Sequence, residues 1–223
     1  MRPPEQPALG AALQVRLETL AARIPLAITG HESDALMQYL ALLQRWNATY
    51  NLTAVRDPAQ MLTQHLIDCL AIIPALRRHA GDLPLRVLDV GSGGGLPGVV
   101  LAALNPAWDV TCVDSVGKKA AFIQQAVVEL RLPNLHSQHA RVERLQGPPF
   151  QLITSRAFAS LTEFVTLTKP QLAPAGTWVA MKAKHPGTEL SALPADVAVF
   201  HVEQLDVPDL GAERCLVWIR RSL

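Results

Sequence analysis

The most constraining feature of the chain lies between Val87 and Leu104. An apolar run, Val87-Leu88-Asp89-Val90, leads into a turn with five glycines in eight residues, Gly91 to Gly98, and then into the apolar segment Val99 to Leu104. Glycines gather where φ must be positive and where a ligand lies against bare backbone. A strand, a glycine turn and a helix in that order predict a ligand loop at the edge of a parallel sheet. The register of the glycines separates nucleotide classes. A dinucleotide fingerprint read from the strand end at Gly91 fails at its last position, Leu96. The same string does fit from Gly93 to Gly98, but it starts two residues late and contains Pro97.

The rest of the chain fits around that unit. Its 223 residues are 49% hydrophobic and 17% charged, with 5% aromatic, so a medium-sized domain with an aliphatic core is expected. No stretch reaches the roughly 18 to 20 unbroken apolar residues of a membrane span, since Tyr39 to Leu43 meets Gln44 and Arg45. The Pro-rich head has Glu5 where an export signal needs an apolar run, so residues 1–8 read as loose and the protein as cytoplasmic. Cys69, Cys112 and Cys215 lie far apart and form no C-x-x-C pair, which suits reduced core residues and neither a disulfide framework nor a metal site. The formal charge of +1 withholds the broad basic excess of a free-standing nucleic-acid binder, so any such contact must be local.

Two regions divide near residue 82. Residues 1–82 read as an N-terminal helical cap: a helix over Ala11 to Ile24 stopped by Pro25, a second capped by Ser33, and a third starting at Asp57 with Pro58 in its first turn. Residues 83–223 alternate strands and helices. Strands are predicted at Arg86 to Val90, Asp109 to Asp114, Leu135 to Ala140, Gln151 to Ser155, Thr177 to Lys182, Ala198 to Gln204 and Cys215 to Arg220. The short polar connection before the last strand predicts an antiparallel pair. A seven-stranded, mostly parallel α/β sheet with an antiparallel last strand resembles the class I S-adenosylmethionine-dependent methyltransferase fold, here Rossmann-like with an N-terminal helical extension.

The glycine register agrees with that fold. D-x-G-x-G-x-G runs from Asp89 through Gly91, Gly93 and Gly95, with Asp89 placed to meet a methionine ammonium. Asp114, at the second strand's end, can accept hydrogen bonds from both ribose hydroxyls or cap the next helix, and the two roles are compatible. Lys118 and Lys119 read as a solvated helix start. Amine methyltransferases carry an Asn/Asp-Pro-Pro-aromatic loop after the fourth strand, whereas this chain has Thr154-Ser155-Arg156-Ala157-Phe158. Arg156 there suits a phosphate, a guanine edge or the cofactor carboxylate.

Several further motifs occur in order: Arg45-Trp46-Asn47, Asn51-Leu52-Thr53, Arg56-Asp57, His65-Leu66-Ile67-Asp68, Leu96-Pro97-Gly98, Val113-Asp114-Ser115, Arg141-Val142-Glu143 and Ser155-Arg156-Ala157-Phe158. With them the chain resembles, from Leu40 to Arg220, the bacterial RsmG (GidB) family, which methylates guanine N7 in 16S ribosomal RNA. It departs from the family pattern in Met181-Lys182-Ala183-Lys184 after the fifth strand and in Cys69. The resemblance implies S-adenosylmethionine as cofactor, bound by Gly91, Leu96, Val142, Glu143 and Arg156, with Glu143 near the adenine. Guanine N7 carries an exposed lone pair, so attack on the methyl needs no general base. Alignment of the reacting atoms within about 3 to 3.5 Å would supply the catalysis, with Arg156 the candidate contributor. Arg45, Arg56 and His65 are expected to cluster around a turn at Asn47 to Thr53 and, with Lys182 and Lys184, to face RNA. Trp46 and Tyr50 fall on helical spacing and read first as core, and His65 and Asp68 as a local hydrogen-bonded pair. The expected partner is a folded or assembling small subunit met by a monomer. A small-molecule methyltransferase, a nicotinamide oxidoreductase and a cofactor-binding module without turnover are the competing readings.

Overall fold

The computed structural model describes residues 6–81, 83–156, 158 and 160–222. Most of the loose head expected at residues 1–8 lies outside the described residues; helix α1, Gln6–Ala21, begins at Gln6 with Pro7 in its first turn. The helix stops at Ala21, four residues before Pro25, earlier than its apolar spacing suggested. Helix α2, Gly30–Tyr50, corrects a second expectation. Its cap is Thr29, not Ser33: the Thr29 hydroxyl accepts the Glu32 N–H at 3.2 Å, and the Glu32 carboxylate accepts the Thr29 N–H at 2.6 Å. Ser33 lies inside the helix, 1% exposed, and donates to Glu18 on α1.

The third helical run opens as predicted, with Asp57 capping Gln60 N–H and Pro58 in the first turn. It is broken into α3 (Pro58–Met61), a wider π-helical turn (Leu62–Ile67), α4 (Asp68–Leu70) and α5 (Ile73–Ala80). Over Pro58–Ala80 the mean hydropathy reaches 1.2 in an 18-residue window, a span-like length and composition, although Gln64, His65 and Asp68 interrupt the apolar residues as expected. It is instead a core helix, with 78% of that window buried in the protein.

All seven strands form: β1 Arg86–Val90, β2 Asp109–Asp114, β3 Leu135–His139, β4 Phe150–Ser155, β5 Leu172–Lys182, β6 Val197–Leu205 and β7 Arg214–Arg221. They make one sheet in the order β3-β2-β1-β4-β5-β7-β6. The first five pair in parallel, and β7 runs antiparallel between β5 and β6. Helices α6 (Gly98–Leu104), α7 (Gly117–Glu129) and α8 (Leu161–Thr168) return the chain between parallel strands. The strand order reverses between β1 and β4, which leaves a crevice at their C-terminal ends.

The N-terminal helices are built into this body. One apolar cluster runs from Leu13 and Leu17 through Leu43 and Ile67 to Val99, Phe122 and Trp218. Tyr39 and Trp46 of α2 meet Phe122 of α7 edge to face, at 6.1 and 5.6 Å. Trp46 is therefore a packing residue, and Tyr50 leans on it while staying 43% exposed. Thr29→Ala should lower the unfolding free energy by about 1 kcal/mol, through loss of the cap. In a chain of this size that shifts the calorimetric midpoint down by about 2–4 °C; an unchanged midpoint would place the start of α2 elsewhere.

Candidate active site

The site grows from the turn after β1. Gly91 and Ser92 donate their N–H groups to Val113 O of β2, at 2.9 and 3.2 Å, and Ser92 O accepts from Gly95 and Leu96. Gly91, Gly93 and Gly95 all take positive φ. At Gly95, φ is +82° and an added Cβ would stand 2.7 Å from Val99, so both backbone and space demand glycine. At Gly98 a Cβ would stand 2.2 Å from Cys112 Sγ and 2.9 Å from Asp89 Oδ2, so α6 can press onto β1 and β2 only without a side chain. Gly98 thus does the close-packing work of the last glycine in a dinucleotide loop, and that feature alone does not separate the two ligand classes. From the other side, the Tyr39 hydroxyl donates to Gly94 O at 2.6 Å and fixes the turn to α2.

Asp89 departs from its expected place. Its carboxylate is 0% exposed and lies under the turn, where Oδ2 accepts the Gly98 N–H at 2.8 Å and Oδ1 has no partner among the described residues. Burial pushes its pKa up to about 7, against the pull of the Gly98 N–H and Arg156. It braces the turn and does not present a carboxylate to an ammonium.

Of the other expected cofactor residues, Gly95 is buried within the turn, whereas Gly91, Gly93, Leu96, Asp114, Val142, Glu143 and Arg156 line open space. A cleft of about 390 Å³ runs along Gly91, Asp114, Val116, Val142, Glu143 and Phe158. Asp114 accepts the Gly93 and Val116 N–H groups, both at 2.9 Å, so it caps the turns on both sides as well as facing the cleft. Two hydrogen bonds leave free lone pairs on a carboxylate that offers about four. Lys119, expected to be solvated, instead stands 3.8 Å from Asp114 Oδ2 and lines this cleft.

Through Gly91 and Lys119 the cleft adjoins a chamber of about 150 Å³ whose lining includes Leu43, Thr53, His65, Gly93, Leu96 and Arg156. Beyond His65 and Arg156 a third cavity, about 250 Å³, reaches Asp68, Met181, Lys182 and Arg214. Arg156 donates through Nη1 to Gln64 O at 3.1 Å and to Asp68 Oδ2 at 3.3 Å. Its acceptor Asp68 is 2% exposed, so this is an interior pair and not a surface salt bridge. Gln64 belongs to the π-helical turn, whose altered bonding pattern presents its carbonyl to a side chain. His65, expected to bond Asp68, bonds Thr53 Oγ1 at 2.9 Å instead. Asp68 is taken by the two arginines, Arg214 Nε reaching Oδ1 at 2.8 Å. Burial, helped by Arg156, lowers the His65 pKa to about 4, so its ring is neutral at pH 7.

The expected RNA-facing cluster does not form as one group. Arg45 pairs with Glu129 on α7 at 2.7 Å. The turn begins only after Tyr50, and Arg56 is folded into it, donating to Asn47 O and to Asn51 Oδ1. His65 belongs to the cavity wall. Lys182 pairs with Glu189 at 2.9 Å, and Lys184 is exposed. Tyr39, Thr53, Lys119, Asp68 and Arg214 are site residues that the sequence reading did not single out as such. Tyr39 carried one signal, a hydroxyl on an otherwise apolar stripe; Arg214 carried none. Asp89 makes the site sensitive to pH. Its folded pKa of about 7 stands above the unfolded value of about 3.9, so the stability it contributes is complete below the unfolded value and is lost as pH rises through 7. Asp89→Asn should remove that loss, read as urea midpoints that converge with the wild type at acid pH and separate above neutrality. Parallel curves would mean an ordinary carboxylate.

Comparison with known proteins gives the family and the fold. Residues 32–217 match the family model GidB, described as rRNA small subunit methyltransferase G. A curated relative of that description from Leptothrix cholodnii is 64% identical over 189 residues, which span 85% of this chain and 87% of the relative. Another, from Acidovorax ebreus, is 55% identical over 217 residues, spanning 94% and 96%. Solved structures share the fold at low identity. A SAM-dependent methyltransferase from Aquifex aeolicus superposes with TM-score 0.55 at 16% identity, covering 76% of this chain and 96% of that one. The Burkholderia thailandensis 1,6-didemethyltoxoflavin-N1-methyltransferase, solved with S-adenosylhomocysteine, gives 0.52 at 16% identity over 89% and 92%. With the family model matched over most of its length and relatives above half identity, the chain belongs to the GidB family of ribosomal RNA small subunit methyltransferases G.

Proposed function

We propose that this protein transfers a methyl group from S-adenosylmethionine to N7 of one guanine in the 16S ribosomal RNA of the small subunit. The observation that carries the reading is the run of three cavities with shared walls along the C-terminal edge of the sheet. The lining of the first cleft suits an adenosine: the spare lone pairs of Asp114 accept from a ribose diol, the apolar faces of Val116 and Val142 flank a purine, and Glu143 accepts from its amino end. The central chamber, floored by backbone at Gly91 and Gly93, suits the methionine portion. When bound, S-adenosylmethionine supplies a methyl carbon on a positively charged sulfur.

The protein's own work is alignment. Guanine N7 attacks through a lone pair and loses no proton, so the pocket has only to orient it and exclude water. His65 is neutral, so it adds no further positive charge to a chamber already lined by Lys119 and Arg156. Arg156 forms part of both adjoining walls and is the residue best placed to orient the reactants.

With a net charge of +1, affinity must come from shape as well as phosphate contact, which supports a folded or assembling small subunit as the substrate, met in the cytoplasm by one chain carrying a whole site. Purified protein should methylate small subunits and leave a short unstructured oligonucleotide of the same sequence untouched; equal methylation of both would sink the subunit requirement. Ribosomal RNA from cells lacking the protein should miss a single N7-methylguanine, and an unchanged pattern would remove the assignment. The single-turnover rate should vary less than about twofold from pH 7 to 9, because no group in the chamber has to give up a proton. A rate that rises through a pKa near 7 and keeps that profile in Asp89→Asn would demand a base that this mechanism lacks.

A further inference from the structure

The third cavity has a chemistry that the cofactor does not need. Beside Gln64 and Ala183, its wall is formed by His65, Asp68, Arg156, Met181, Lys182 and Arg214, and it adjoins the central chamber through His65 and Arg156 and shares no wall with the adenosine cleft. At about 250 Å³ it has room for a single heterocycle and not for a duplex. Asp68 is the one acid among those six residues, and each of its oxygens is held by an arginine. Among the described residues Arg156 bonds to protein through Nη1 alone, and Arg214 through Nε and Nη1, the latter on Glu213 O. Among the described residues, Arg156 Nε and Nη2 and Arg214 Nη2 are unbonded. Asp68 is 2% exposed, so its remaining lone pairs are out of an occupant's reach, and the groups held in fixed positions are guanidinium donors, beside a Gln64 amide that can turn either end inward.

Donors distinguish the two purines. Guanine presents the O6 acceptor where adenine presents an N6 amino donor, so adenine set against the two guanidiniums would place donor against donor. The usual arginine fork on guanine spans O6 and N7 together, but here it would cover the atom that must react, so contact through O6 alone is the arrangement compatible with methylation. A base paired in an A-form helix hides this edge in a deep, narrow groove.

We propose, resting on the guanine reading above, that the third cavity receives the target guanine swung out of its RNA strand, and that Arg156 and Arg214 select it by donating to O6. Asp68 is then a positioning residue: it holds the two guanidiniums at one fixed separation and contacts no substrate atom.

The test uses small subunits reconstituted with guanine, inosine or 2-aminopurine at the methylated position, together with the full-length protein and Arg214→Met. Inosine keeps O6 and lacks the 2-amino group; 2-aminopurine has hydrogen in place of O6. Wild-type protein should methylate inosine within about threefold of guanine and 2-aminopurine at least about 30-fold more slowly. Arg214→Met should lower kcat/KM on guanine by about 10- to 100-fold, compress the guanine to 2-aminopurine ratio to below about fivefold, and keep S-adenosylhomocysteine affinity within about twofold. Two results would overturn the proposal: 2-aminopurine methylated as fast as guanine, or Arg214→Met slowing both purines equally so that the ratio stands. Should the variant not fold, the analogue series with wild-type protein decides alone. Failure of the wild type to methylate any guanine-containing subunit would instead remove the underlying reading, an outcome distinct from both.

Discussion

A carboxylate sealed from solvent holds the ligand turn in shape. Asp89 leaves β1 pointing into the protein, and its one strong bond is to the N–H that opens α6. A charge in such a place is costly unless it is satisfied, and this one meets the expense by drawing the helix start onto the sheet and by holding its proton more tightly. The absence of a side chain at Gly98 permits that approach. Behind the turn the space is filled, by Val99 against Gly95 and by Cys112 and Asp89 against Gly98, so neither position admits a side chain.

The same turn is gripped from outside by α2. Tyr39 is buried among aromatic and aliphatic neighbours and uses its single polar atom on Gly94, so the N-terminal helices and the sheet are joined by a directional bond as well as by apolar contact. The loop after α2 then closes one side of the central chamber. Asn47 supports it twice, accepting the Thr53 N–H at 2.9 Å and donating to Val55 O at 3.2 Å. The motif residues between Arg45 and Arg56 consequently divide into those that build this loop and those, such as Thr53, that face the chamber.

Much of this was readable from sequence where chemistry and periodicity coincide. The seven strands, the glycine turn and Asp114 are local patterns, each set by residues close together in the chain. Where the reading failed, competing local options or distant partners decided. Ser33 and Thr29 both carry a hydroxyl, and only the Glu32 three residues after Thr29 completes the reciprocal cap. Aspartate at the start of a glycine motif does not announce whether its carboxylate faces outward or into the protein; the burial of Asp89 depends on how closely α6 packs. The pairing of Asp68 with Arg214 joins residues 146 apart and arises from β7 lying beside β5, which no local spacing encodes.

That long-range pairing also sets an order on biosynthesis. The Asp68 side chain emerges from the translating ribosome early, yet one of its two cationic neighbours resides on the final strand. Until that strand inserts between β5 and β6, the acid cannot be neutralised from both sides, and the wall it supports stays incomplete. A nascent chain could already shape the glycine turn while the adjoining compartment remained unfinished, so competence for chemistry would arrive with the last hairpin and not gradually along the polypeptide.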